Sequence, residues 1–502
     1  MTGDGDSDSQ KSRYGTEKVS MGIDGLDTLL HGGLVPGTNA LVRGPPGSGK
    51  TIFGLYFLSE GTATGRKSLF VNLGEPTDYV QATATGFGLD SDSLEFRDLS
   101  PGQDQFASEE RYSLFKSAEV EGPGFISELR ETIEDIDPDR VLLDPITEYR
   151  HLTTDEHQFR KHILGLLDLL KSSDITVVLT SQASDSVPDE DLQFLTDTVI
   201  NLESTSGGRQ VTVSKFRGSS FREGPHQYEI TDAGIEVWPT LQAGTGGAEI
   251  DSDTLSSGVP ELDELLNGGL EHGTVTFLSG PTGVGKTTTG VQFLKEAASR
   301  GTPAILFEFE ESRRTLLERS DAVNIPLREM IDTGNLSLIE IPPDAYAADQ
   351  FGDMVRSAVD EGIELVMIDG VQGFKQNLRG LDPTPTQTLL RVGRYLRSNG
   401  VSTIFTNEMH TITGEFRVTE EGLSNLADNV VFLRHVEYEG EMRKVIGALK
   451  MRTSDFEHSL RALEITGHGL KVGDPLPHLR GILTGTPEWN GGAGIPTNQD
   501  SD

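Results

Sequence analysis

A chain of 502 residues exceeds what one hydrophobic core usually organises, so two domains are expected before any motif is read. With 35% hydrophobic and 24% charged residues and no cysteine, the composition excludes disulfides, zinc–thiolate sites and thiol nucleophiles, and no apolar run approaches the ~20 residues of a membrane-spanning helix. The 79 acidic side chains outnumber the 42 basic ones along the whole length, and the resulting net charge of −37 fits a surface kept hydrated in a salt-rich cytoplasm and disfavours nucleic acid.

Residues 1–17 are acidic and polar where a secretory signal is basic and then apolar, so they read as a disordered leader of a cytoplasmic protein. A first domain is expected over 18–240. It opens with MGIDGLDTLLHGGLVPGT (21–38), followed by the apolar run TNALVR, the loop GPPGSGKT (44–51) and the helix-spaced IFGLYFLSEG. Strand, Gly-rich loop and helix in that order form a phosphate cradle. Gly44, Pro45, Pro46, Gly47, Ser48 and Gly49 bring backbone N–H groups around the phosphates, Lys50 reaches the β and γ phosphates, and Thr51 ligates magnesium.

Further along, SLFVNLGEP ends a second strand near Gly74 and Glu75, RVLLD ends at Asp144, and TVVLTSQ ends at Gln182. Asp144 is the expected magnesium-side acid, Glu75 a candidate to orient the attacking water, and Gln182 a candidate sensor of the γ phosphate. The Gly-rich acidic stretch 241–253 reads as a linker.

The second half repeats the first. SGVPELDELLNGGLEHGT (257–274) matches the opening segment, and Lys50 and Lys286, Gly22 and Gly258, Asp27 and Asp263, Gly33 and Gly269, and Glu75 and Glu311 share one offset. Its domain is expected over 254–473, with 474–502 a flexible tail. Its phosphate loop comprises Gly280, Pro281, Thr282, Gly283, Val284, Gly285, Lys286 and Thr287, with Lys286 and Thr287 in the roles of Lys50 and Thr51. ELVMID ends at the magnesium-side Asp369, AILFEFEES carries Glu310 and Glu311 as candidate water-orienting acids, and STIFTNE carries Asn407 as the candidate sensor. Two tandem α/β cores follow, each a mainly parallel sheet flanked by helices, binding ATP and Mg2+.

Residues 18 to 473 resemble the KaiC family, double-domain clock ATPases of the RecA superfamily, through the GxxxLDxLLxGGL segment, the two loops, the EES at 310–312 and a basic strand late in each half. Those strands are VSKFRGSS, with Lys215 and Arg217, and ALKMRTSDF, with Lys450 and Arg452. The resemblance implies a homohexameric double ring in which these cations touch a neighbour's nucleotide. It also implies a phosphorylated Ser-Thr pair, where this chain has Ser424 followed by Asn425, leaving Ser424 as the candidate acceptor. Gly74 replaces the first acid of the family's pair in the first half. The reading is an ATP-hydrolysing signalling protein with unidentified protein partners. Two alternatives stay open, a DNA-dependent ATPase and a nucleotide-gated scaffold with little turnover. The segments where a DNA loop is expected, 184–193 and 411–422, are acidic or nearly lack cations, which disfavours DNA.

Overall fold

The computed structural model describes residues 17–100, 124–153, 155–182, 189–244, 253–380, 385–409, 423–438, 441–452, 455–476, 479–480 and 488–489. The leader up to residue 16, most of the linker and of the tail, half of the segment 184–193 and all of 411–422 lie outside them. Two compact units divide between Thr240 and Leu241.

In the first unit nine strands form one sheet: β1 Asn39–Gly44, β2 Ser68–Asn72, β3 Glu95–Asp98, β4 Arg140–Asp144, β5 Thr176–Gln182, β6 Thr198–Thr205, β7 Gly208–Phe216, β8 His226–Thr231 and β9 Gly234–Trp238. Their order is β3-β2-β4-β5-β1-β6-β7-β8-β9. The six strands from β3 to β6 run parallel, and β7 to β9 continue as antiparallel hairpins. Parallel strands covered on both faces read as unbroken apolar runs, as β2 and β4 do. Alternate residues divide between two cores: Val42, Phe70, Leu142 and Val178 pack on one face, and Leu41, Leu69, Val141 and Leu179 on the other.

The second unit contains β10 Thr254–Leu255, β11 Leu270–Glu271, β12 Val275–Gly280, β13 Ala304–Glu308, β14 Leu336–Glu340, β15 Tyr346–Ala347, β16 Leu365–Asp369, β17 Leu378–Arg379, β18 Ser402–Glu408, β19 Asn429–Tyr438, β20 Glu441–Met451, β21 Arg461–Thr466 and β22 Gly469–Pro475. Its main sheet, β14-β13-β16-β18-β12-β19-β20-β21-β22, repeats the first sheet position for position. The internal repeat is therefore a repeat of topology.

The shared opening segment has a structural cause. The Asp27 carboxylate accepts the Met21 N–H at 2.7 Å and the Ser20 hydroxyl at 2.6 Å, and Asp263 does the same for Ser257 and Ser256 at the same distances. Gly33 and Gly269 take φ of 117° and 129°, and a Cβ there would lie 2.3 Å from the Val19 carbonyl and 2.4 Å from that of Leu255. Only glycine lets the returning chain approach so closely.

Candidate active site

Each phosphate loop leaves the carboxyl end of a central strand, β1 or β12, and closes on a helix, Lys50–Ala63 or Lys286–Ser299. Gly49 and Gly285 precede these helices with φ of 89° and 116°. A Cβ at either would meet the Cδ1 of Ile230 or Ile465 at 2.4 Å, so this position excludes a side chain twice over. The Lys50 ammonium is buried and donates to the Gly44 and Pro45 carbonyls at 3.0 and 2.9 Å; Lys286 donates to Gly280 and Pro281 at 3.0 and 3.1 Å. Each lysine is thus held across its own loop. Gly47 and Gly283 have positive φ and open space where a Cβ would point, which leaves room for a phosphate group.

Asp144 is buried at the end of β4, and the hydroxyls of Thr180 and Thr51 donate to it. Burial pushes its carboxyl up, while those hydroxyls and Lys50 oppose the shift. Expected loop threonine and expected metal-side acid therefore meet, an oxygen pair suited to magnesium. Asp369 is 2% exposed and accepts the Thr406 hydroxyl at 2.5 Å. Burial lowers both lysines; Asp144 and Glu75 act against this at Lys50, and Glu310, Glu408 and Asp369 at Lys286.

The strand ends beside these acids differ between the cores. Glu75 is exposed, as is Gly74. Desolvation and then the Asp369 carboxylate push Glu310 up, and desolvation raises Glu311 although Arg319 pairs with it at 2.5 Å. A cavity of about 470 Å³ opens at this end of the second sheet, lined by Glu310, Glu311, Glu340, Gln372, Gln376 and Glu408 among others. Glu308, absent from the sequence-level reading, is fully buried, and its Oε1 accepts the Glu310 and Glu311 N–H groups at 2.8 and 2.9 Å. The only signal for it was an acid interrupting an apolar strand.

The two expected sensors are not equivalent positions. Gly44 registers with Gln182, but Gly280 registers with Glu408, so Asn407 matches Ser181 instead. Gln182 is exposed and Asn407 is buried within β18. The Thr282 hydroxyl donates to Glu408, which puts Glu408 against the second phosphate loop. The short β18 motif gave no register, and a one-residue shift exchanges the two faces of a strand.

Lys215 donates to the Gln193 carbonyl at 2.7 Å and also to those of Phe194 and Thr196, and Arg217 lies 3.5 Å from the Asp197 carboxylate. Lys450 donates to the Ser424 and Ala427 carbonyls, the first at 3.2 Å, and Arg452 pairs with Asp428 at 3.2 Å. Backbone bonds run from Arg217 to Asp197 and from Asp197 to Asn39, and from Arg452 to Asp428 and from Asp428 to Val275. Both cation pairs therefore sit level with the start of β1 or β12, whereas the phosphate loop leaves the other end, roughly 17 Å away at the rise of an extended strand. Neither pair reaches the phosphate loop of its own core.

A family model described as the KaiC ATPase matches residues 19–242 and again 255–476. The chain is 28% identical over 495 residues to the circadian clock oscillator protein KaiC of Prochlorococcus marinus (strain MIT 9313), covering 95% of this chain and 96% of that protein. It is 28% identical over 498 residues to that of Acaryochloris marina, covering 95% and 92%. Against the circadian clock protein KaiC3 of Synechocystis it is 26% identical over 500 residues, covering 95% of each. With both phosphate loops, both buried acids and both nine-stranded sheets accounted for, the chain belongs to the KaiC ATPase family, with one P-loop ATPase core in each half.

Proposed function

We propose that this protein is an ATP-hydrolysing signalling protein that works as a hexameric ring, with each ATP and its Mg2+ held between neighbouring subunits. The arrangement that carries this reading is the position of Lys215, Arg217, Lys450 and Arg452 at the end of the sheet opposite the one their own phosphate loops leave. Cations there serve a neighbour's nucleotide, where positive charge offsets that of the transferring phosphoryl group. Within each core, Lys50 or Lys286 binds the phosphates, and Thr51 with Asp144 or Thr287 with Asp369 would hold magnesium, which screens phosphate charge. Glu310 and Glu311 orient and deprotonate water in the second core. Glu75 does so in the first at a lower rate, because Gly74 and Asn72 leave it alone at the strand end.

Ser424 is exposed in a 3₁₀ turn, Leu423–Asn425, whose backbone carbonyl receives Lys450. It stands with the cations and away from Lys286, so the reading has it phosphorylated from the neighbouring subunit's ATP. Native mass measured with and without Mg-ATP, together with intact-mass phosphate counting, tests both parts. A hexamer that forms with ATP and a single phosphate lost in Ser424→Ala are expected; a persistent monomer overturns the interfacial site, and an unphosphorylated hexamer overturns only the kinase step. The weak first core also favours a second reading, in which ATP there acts as a clamp for a protein partner. Assembly that survives Glu75→Gln without change would favour that clamp.

A further inference from the structure

The Glu308 side chain is 0% exposed, and among the described residues its Oε2 is a buried oxygen with no hydrogen-bond partner. It stands in a cluster: Glu308, Glu311 and Asp369 each bring one carboxylate oxygen within 4.8 Å of the others. We propose that these three residues form a divalent-cation site in the second core that fills without nucleotide.

The surrounding charges favour a cation. Glu308, Glu310, Glu311, Asp369 and Glu408 act on one another here, against Lys286 and Arg319. Lys286 is tied to two backbone carbonyls of its own loop, and Arg319 holds Glu311 from one side. Neither is bonded to Glu308. A carboxylate removed from water without a counter-charge is unfavourable, and a cation bound among the three oxygens supplies that charge. An all-oxygen donor set selects hard ions of the Mg2+, Mn2+ or Ca2+ class.

The first core supplies the contrast. Asn72 takes the place of Glu308: its Oδ1 accepts the Gly74 and Glu75 N–H groups at 3.2 Å each, and its Nδ2 donates to the Glu75 carbonyl. The same turn is capped with no charge and no orphaned oxygen, so the site belongs to the second core alone. This cation is distinct from the magnesium that arrives with ATP, although both use Asp369. The inference therefore shares Asp369 and Glu311 with the functional reading.

The test is a Mn2+ titration of the nucleotide-free full chain, followed by electron paramagnetic resonance of free Mn2+, at high ionic strength so that diffuse binding to the acidic surface is screened. The wild type is expected to bind one more Mn2+ per chain than Glu308→Gln. Glu311→Gln, altered at the half-exposed member, should bind it at least roughly tenfold more weakly. Asn72→Glu should add a site in the first core. Circular dichroism melts establish that each variant is folded. Equal Mn2+ binding by the wild type, Glu308→Gln and Glu311→Gln, or none by the wild type, overturns the proposal. ATP turnover and assembly, measured separately, report on the functional reading whatever the Mn2+ result.

Discussion

Asn72 and Glu308 occupy the same register position in the two cores, one opposite Asp144 and the other opposite Asp369, and each accepts the backbone N–H groups of the turn that carries Glu75 or Glu310 and Glu311. A neutral amide in one core and a buried carboxylate in the other make the two sites chemically unequal, although they share the sheet order and the glycine, lysine and threonine pattern of the phosphate loop.

Turnover should divide unequally. With the first core silenced by Lys50→Ala, adding Glu310→Gln is expected to lower steady-state phosphate release by roughly 10²- to 10⁴-fold, the usual contribution of a positioned acid–base group. With the second core silenced by Lys286→Ala, adding Glu75→Gln should produce a smaller change from an already low rate. Equal effects in the two backgrounds would contradict the asymmetry.

Sites shared between subunits predict complementation. Arg452→Ala and Lys286→Ala should each inactivate the second core, and mixed chains should regain a fraction of its activity where an intact Lys286 faces an intact Arg452 across an interface. Folding should be little affected by Arg452→Ala, since Arg397 still pairs with Asp428 at 3.3 Å. Activity that stays lost on mixing would place the cation in its own site.

Gly285→Ala should weaken ATP binding and lower the melting temperature, with a backbone cost of about 1–2 kcal/mol for a non-glycine residue in the left-handed region. Adding Ile465→Ala relieves only the contact with the new Cβ and not the φ of 116°. Partial rescue is therefore expected, read by melting and by nucleotide titration; complete rescue would mean that contact alone excluded the side chain.

Tyr228 donates its hydroxyl to the Ser48 carbonyl at 2.8 Å, and burial pushes its pKa up to about 12. The unfolded phenol loses its proton near pH 10, so between about pH 10 and 12 the unfolded state binds fewer protons than the folded one. Stability should fall as pH rises through that window, by up to about 1.4 kcal/mol per pH unit from this group. Tyr228→Phe should begin about 1 kcal/mol less stable, from the lost hydrogen bond, and show a shallower alkaline decline. Denaturant melts at several alkaline pH values measure both; parallel declines would remove Tyr228 as the cause.

Much of this protein is legible one segment at a time. The duplication, the strand–loop–helix order around Lys50 and Lys286, and the acids ending β4 and β16 follow from local rules, because a phosphate cradle needs adjacent glycines and a buried strand needs an apolar run. Gly74, where the second core has Glu310, already sets the two strand ends apart. Other features depend on residues far apart in the chain. The register between β12 and β18 sets Glu408 against the phosphate loop, and the pairing of β13 with β16 brings Glu308 beside Asp369. Likewise, the fold through β6 and β7, or β19 and β20, puts Lys215 and Lys450 at the opposite end of the strands from their own phosphate loops. Sequence by itself determined which chemistry the chain carries, since that chemistry is written in contiguous motifs; the tertiary structure alone decided which charges meet, since burial and cross-strand register exist only once the strands are paired.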